Sequence, residues 1–129
     1  MRKSQKVYNC IIIDDDPHAV QVIKEHISLV PKLFLITTYL NPFEALSELG
    51  GDACIDFLFL DINMQLSGLN VASLLRERVR FIIFVTGHPE HALAAFQADA
   101  DRFLTKPVAF SKFIVTVNQL LYHRVKGRS

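Results

Sequence analysis

The sequence predicts an α/β protein: a single five-stranded parallel sheet with helices on both faces. The apolar runs Tyr8 to Ile13, Leu33 to Ile36, Phe57 to Leu60 and Phe81 to Val85 are continuous rather than alternating, which suits strands covered on both sides. Stretches with apolar residues at helical spacing fall between them. The connections are short, so strand and helix alternate five times along the chain, and successive parallel strands require right-handed crossovers.

Taken in order, the first strand at Tyr8 to Ile13 leads into a helix for which Asp16 is the N-cap and Pro17 the first residue. Val20, Ile23, Ile27 and Val30 then recur on one face until Pro31. After the Leu33 to Ile36 strand the same grammar returns. Asn41 caps, Pro42 follows, Glu44 occupies the capping-box position, and Gly50-Gly51 ends the helix. A third helix is expected from about Leu69 to Arg78 with Val71, Leu74 and Leu75 inward. A short helix from Pro89 to Phe96 follows, then a brief strand at Arg102 to Leu104. The last helix is expected from about Phe110 to Tyr122, capped by Ser111, with a polar tail from His123 to Ser129. Leu93, Phe96, Phe110, Phe113 and Ile114 read mainly as core, with some of them available to pair two copies of the domain.

A chain of 129 residues fits one domain, residues 1–129 with a core at about 6–123, and is long enough to bury most of its apolar surface. A net charge of +1 offers no global attraction to nucleic acid or to an anionic membrane, and the short basic tail lacks interleaved aromatic residues. The basic start and the Val7 to Ile13 stretch do not make a secretion signal, because the apolar part is short and acids interrupt it. A soluble, cytoplasmic protein is expected. Cys10 and Cys54 read as reduced structural thiols, and His88 and His91 as a surface pair without further zinc ligands.

In open parallel sheets the functional crevice lies beyond the carboxyl ends of the strands. Those ends are polar here: Asp14, Asp15 and Asp16 follow the first strand, Asp61 the third, Thr86 the fourth and Lys106 the fifth. Clustered carboxylates repel one another unless a cation or a proton is shared among them. If Asp14, Asp15 and Asp61 converge, they supply the oxygen donors that Mg²⁺ prefers. Asp61 stands alone at its strand end and is the candidate nucleophile, since a carboxylate can form an aspartyl phosphate. Lys106 would offset phosphoryl charge and the Thr86 hydroxyl would donate to a phosphoryl oxygen. Singly, these residues are a helix cap, a turn hydroxyl and a surface lysine. Their joint order carries the functional reading.

The residues Ile-Ile-Ile-Asp-Asp-Asp-Pro at 11–17, Phe-Leu-Asp-Ile-Asn-Met at 59–64 with Gly68 beyond, Val-Thr-Gly at 85–87 and Phe-Leu-Thr-Lys-Pro at 103–107 resemble the receiver domain of two-component response regulators. The resemblance implies a flavodoxin-like (βα)5 fold of strand order 2-1-3-4-5. Asp61 would be the phosphoacceptor and Asp14 and Asp15 the metal-binding acids, with the backbone carbonyl of Asn63 completing the protein ligands to Mg²⁺ or, alternatively, Mn²⁺. Thr86 and Phe103 would form the switch, and Lys106 would contact phosphate before a cis Pro107. The implied donor is a sensor histidine kinase, a phosphotransfer protein or a small acyl phosphate, and activation would favour a homodimer.

The segment from Val85 to Phe96 and the short span between Asp61 and Thr86 are similar to receivers of LytTR-type transcription regulators. Those usually precede a DNA-binding domain, so the chain is read as a receiver separated from its output. Gln65 replaces a common proline, Gly87 a more usual alanine or serine, and His88 stands where phosphoryl hydrolysis is tuned. Three rivals compete. Asp14 and Asp16 make an Asp-x-Asp motif of the haloacid-dehalogenase phosphatase type, a pseudo-receiver would keep the fold without phosphorylation, and a stand-alone shuttle would share the chemistry without an output.

Overall fold

Each central strand divides its side chains between two cores. In the computed structural model, which describes residues 6–91, 94 and 100–127, Cys10 and Ile12 of β1 (Tyr8–Ile13) enter one apolar cluster while Ile11 and Ile13 enter the other. β3 (Ile55–Leu60) and β4 (Val79–Thr86) alternate in the same way, with Phe57, Phe59, Phe81 and Ile83 on one side and Leu58, Leu60, Ile82 and Phe84 on the other. Burial on both faces explains why these runs carry no polar alternation.

The five strands, with β2 (Leu33–Tyr39) and β5 (Arg102–Thr105), form one parallel sheet of order β2-β1-β3-β4-β5. Order and direction agree with the expectation from sequence. Among the described residues there are four α-helices: α1 (Pro17–Ser28), α2 (Pro42–Glu48), α3 (Gly68–Leu75) and α4 (Phe110–Gly127). Val20, Ile23 and Ile27 of α1 pack with Phe113, Val117, Leu120 and Leu121 of α4 on one face; Ala45 of α2 and Val71, Ala72 and Leu75 of α3 cover the other.

Local signals placed the helix starts. Asp16 caps α1, its side chain accepting from the His18 amide at 3.0 Å, and Asn41 caps α2 by accepting from Phe43 and Glu44 at 2.8 and 3.4 Å. Ser67, not singled out in the sequence, caps α3 by accepting from the Leu69 amide at 3.1 Å.

Several expectations are corrected. β2 is not covered on both faces: it is an edge strand, with Phe34 and Ile36 59% and 50% exposed, and it runs on to Tyr39 through a register shift opposite Cys10/Ile11. The third helix is shorter than expected, closing in a 3-10 turn at Arg76–Arg78. Leu74 points outward at 61% exposure, because the buried stripe runs through Gly68, Val71, Ala72 and Leu75. Ser111 is not a cap, since α4 already begins at Phe110 and the Phe113 amide donates to the Ala109 carbonyl at 3.0 Å. The helix also continues to Gly127, so most of the expected tail is helical. Phe113 is fully buried, whereas Phe110 sits at the rim. Of the helix expected from Pro89 to Phe96, the described part is a 3-10 turn at Pro89–His91 and a helical residue at 94; Leu93 and Phe96 lie outside the described residues.

Candidate functional site

The sheet order reverses direction at β1: the chain leaves β1 for β2 on one side and later returns to place β3 on the other. Loops after β1 and β3 therefore part to opposite faces and open a crevice at the carboxyl edge. Backbone pairing continues past the strand ends, the Asp14 amide donating to Tyr39 O at 3.0 Å and the Asp61 amide to Ile13 O at 3.0 Å. Asp14 and Asp61 are thereby held side by side. At the far strands the Lys106 amide donates to Thr86 O at 2.8 Å, which fixes the fifth strand end beside the fourth.

One carboxylate oxygen from each of Asp14, Asp15 and Asp61 lies within 4.8 Å of the others. Asp14 and Asp61 are only 1% and 5% exposed, while Asp15 faces solvent. The Lys106 ammonium reaches into the cluster, 3.0 Å from Asp14 Oδ2, 3.3 Å from Asp14 Oδ1 and 3.6 Å from Asp61 Oδ1. Asp14 Oδ1 also accepts from the Asp16 amide at 3.0 Å. Asp14 Oδ2, by contrast, is buried and has no aligned donor, Lys106 serving it by charge rather than by a well-directed hydrogen bond.

This crowding is felt in the titration of the groups. Burial, followed by the charge of Asp14, pushes Asp61 up to about 6. Burial also raises Asp14, against the opposing pull of the Asp16 amide and Lys106. For Lys106 burial alone would lower the value, but hydrogen bonding to Asp14 and the charges of Asp14 and Asp61 outweigh it and carry it up.

Asp14, Asp15 and Asp61 bring three negative charges to this edge when ionised, and the Lys106 ammonium, which faces Asp14 and Asp61, offsets one of them. An all-oxygen donor set, an excess of two negative charges and a buried Asp14 oxygen that receives charge from Lys106 but no directed hydrogen bond fit a hard divalent cation such as Mg²⁺ or Mn²⁺. Asn63 is exposed on the loop after Asp61, at the position expected to lend its carbonyl.

That loop winds around the Ile62 carbonyl, which accepts from Met64 N at 3.2 Å and Gly68 N at 2.8 Å. Gly68 begins α3 hard against Asp61. A β-carbon there would overlap the Asp61 carbonyl oxygen and lie 2.8 Å from its carbonyl carbon and 2.9 Å from Ile62 Cα. Only glycine admits this approach. Residue type marked the position in the sequence, but not its reason.

Thr86 is wholly buried, and its Oγ1 accepts from the His88 amide at 3.2 Å. Phe103 pairs with Phe84 in the sheet register and is half-buried against the α2/α3 core. The His88 ring faces Glu90 at 3.4 Å. The Lys106–Pro107 peptide is cis. Beside Lys106, a cavity of about 240 Å³ opens between α1 and the loop after β5, bordered by Asp16, His18, Val22, Pro107 and Val108.

A parallel sheet in this order, with buried acids and a lysine at its carboxyl edge, has the architecture of a CheY-like receiver fold. The chain belongs to the response regulator receiver domain family, whose model matches residues 10–118. An uncharacterized response regulatory protein of Vibrio cholerae is 32% identical over 92% of this chain and 51% of its own length. The sensory transduction protein LytR of Staphylococcus saprophyticus is 33% identical over 85% of this chain and 44% of its own. The response regulatory domain of mrkE from Klebsiella pneumoniae superposes with a TM-score of 0.79 at 26% identity, covering 92% of this chain and 98% of that one. The chain spans about half the length of the curated relatives it matches. Among the described residues no helix is long and apolar enough to cross a membrane.

Proposed function

We propose that Asp61 is the phosphoacceptor of this receiver, taking a phosphoryl group from a phosphohistidine on a sensor kinase or phosphotransfer protein, with acetyl phosphate as a small-molecule donor. The observation that carries this reading is the convergence of Asp14, Asp15 and Asp61 at one sheet edge, with the Lys106 ammonium against Asp14 and Asp61. A carboxylate oxygen of Asp61 attacks phosphorus as the donor's nitrogen–phosphorus bond breaks, and the bonding pair leaves with the donor imidazole. Mg²⁺, or Mn²⁺, held by Asp14, Asp15, Asp61 and the Asn63 carbonyl would supply positive charge for the phosphoryl oxygens when bound.

The chain's own groups do the rest. Lys106 exchanges part of its Asp14 pairing for a phosphoryl oxygen, and Thr86 turns its hydroxyl, at present an acceptor for the His88 amide, to donate to another. Movement of Thr86 opens room beside Phe84 for the half-buried Phe103 ring to swing inward. Such a change biases two surface states only by its differential contacts, which here are those of Thr86 and Lys106 with the new dianion. The output would be homodimerisation and control of transcription through a DNA-binding domain elsewhere in a longer protein, in a cytoplasmic setting; 30% identity to the transcriptional regulatory protein BtsR of Salmonella typhi supports the transcriptional part of this reading.

The hydrolase alternative requires Asp16 as a free general acid. Its carboxylate is instead the exposed N-cap of α1. The deciding experiment is intact-protein mass after incubation with acetyl phosphate and Mg²⁺, beside Asp61→Asn and a metal-free control. One metal-dependent phosphoryl adduct, missing from the variant, is expected. No adduct under conditions that label a known receiver would overturn the reading in favour of a pseudo-receiver.

A further inference from the structure

His26 sits in the last turn of α1, and its Nε2 lies 2.7 Å from the carbonyl oxygen of Val108. A carbonyl can only accept, so Nε2 carries the proton of this bond. The imidazole packs against the rings of Phe110 and Phe113, each with its centroid 5.4 Å away, which stack on each other at 6.2 Å. Phe113 is fully buried and stacks at 5.3 Å on Phe59, which stands two residues before Asp61 on β3. The histidine is thus anchored to the core on one side and donates to the loop after β5 on the other.

That loop carries Lys106. It is held at its start by the Lys106 amide on Thr86 O and at its end by the Phe113 amide on Ala109 O. Between those points Pro107 has no N–H to give; the Val108 side chain packs in the apolar core with Val20 and Ile23 of α1, and His26 adds a hydrogen bond from α1 to the Val108 carbonyl. Val108 and Pro107 also form part of the wall of the cavity beside Lys106. A lysine reaches its partners through four flexible methylenes, so where its backbone sits decides where the ammonium can dwell.

We propose that His26 is a positioning residue for Lys106: by holding Val108 against α1 it keeps the ammonium poised between the Asp14 and Asp61 carboxylates, ready for the phosphoryl oxygens. The inference rests on Asp61 being the phosphoacceptor. His26 touches neither donor nor metal ligand and acts only through the loop. A histidine that merely fills space would leave phosphorylation untouched once its aromatic contacts were preserved.

The test is the rate of acetyl phosphate labelling at varied donor concentration, read by intact mass, for the wild-type chain, His26→Phe and His26→Gln, with an unfolding midpoint for each. Phe keeps the ring contacts and loses the donor; Gln keeps a donor of similar reach. The Phe variant should lose about tenfold in maximal rate at an unchanged half-saturating donor concentration, and Gln should recover to within about threefold of wild type. If Phe prevents folding, His26→Asn, too short to reach Val108, takes its place. Labelling of the donor-less variant at the wild-type rate, or equal slowing of Phe and Gln, overturns the positioning role alone. A wild-type chain that takes no label while a known receiver does brings down the phosphoacceptor reading, and this inference with it.

Discussion

Lys106 stands closer to Asp14 than to Asp61, its ammonium 3.0 Å from Asp14 Oδ2 and 3.6 Å from Asp61 Oδ1. The lysine therefore neutralises the more deeply buried carboxylate and leaves the proposed acceptor only partly compensated.

Replacing Lys106 by Met removes the charge while keeping most of the stem. Asp14 is then buried beside Asp61 with no cation, and the metal-free domain should lose about 2–4 kcal/mol, as expected when one partner of a buried ion pair is deleted. Urea unfolding without divalent metal measures this. Because saturating Mg²⁺ would compensate the same carboxylates, it should narrow the gap between the variant and wild type. A loss unaffected by Mg²⁺ would show that Lys106 contributes packing rather than charge.

Asp61 titrates near 6 in the folded chain against an ordinary value of 3.8, burial being the main cause. A carboxyl raised on folding binds more protons in the folded state, so its contribution is fully present below about pH 4 and is lost as pH rises through about 6. Asp14 is raised as well and acts in the same direction. Metal-free Asp61→Asn should therefore match wild type near pH 4 and exceed it by on the order of 2–3 kcal/mol above pH 7. Denaturation midpoints of the two proteins across that window test the sign. A variant less stable than wild type at neutral pH would mean that the ionised Asp61 is well solvated or well paired.

Gly68→Ala places a methyl group into the Asp61 carbonyl, and the contacts it meets are backbone atoms that cannot turn aside. Either α3 shifts outward or the Asp61–Ser67 loop unwinds from the Ile62 carbonyl. The expected cost is about 1–3 kcal/mol from overpacking. Acetyl phosphate labelling should slow as well, because the displaced backbone is that of the proposed acceptor. An alanine variant with an unchanged midpoint and labelling rate would contradict the close packing of α3.

The parts of this protein that could be read without coordinates are those written in local chemistry. Buried parallel strands need no polar alternation, so Cys10 to Ile13 and Phe57 to Leu60 announce themselves as continuous apolar runs. Asp16-Pro17 and Asn41-Pro42 announce helix starts because a cap and a fixed proline φ act within a few residues. Acids and a lysine directly after strands could be assigned to one sheet edge, since parallel strands all end on the same side. Where the reading failed, the deciding neighbour was distant in sequence. Leu74 and Leu75 are identical residues side by side, and only the docking of α3 on β3 and β4 decides which is buried. Phe34 and Ile36 look as apolar as any central strand residue, but on the edge strand β2 neither joins either core, and Ile36 is the residue skipped where the register with β1 shifts.

The sequence alone thus determined the element order, the parallel sheet and the residue types gathered at its carboxyl edge, because propensity, capping and strand direction are short-range properties. Only the tertiary structure decided that Lys106 favours Asp14 over Asp61, that Gly68 must lack a side chain beside the Asp61 carbonyl, and that His26 reaches Val108 across 82 residues of chain. Those relations depend on ångström-scale distances between elements, set by how two cores pack against one sheet, and no pattern along a single chain encodes them directly.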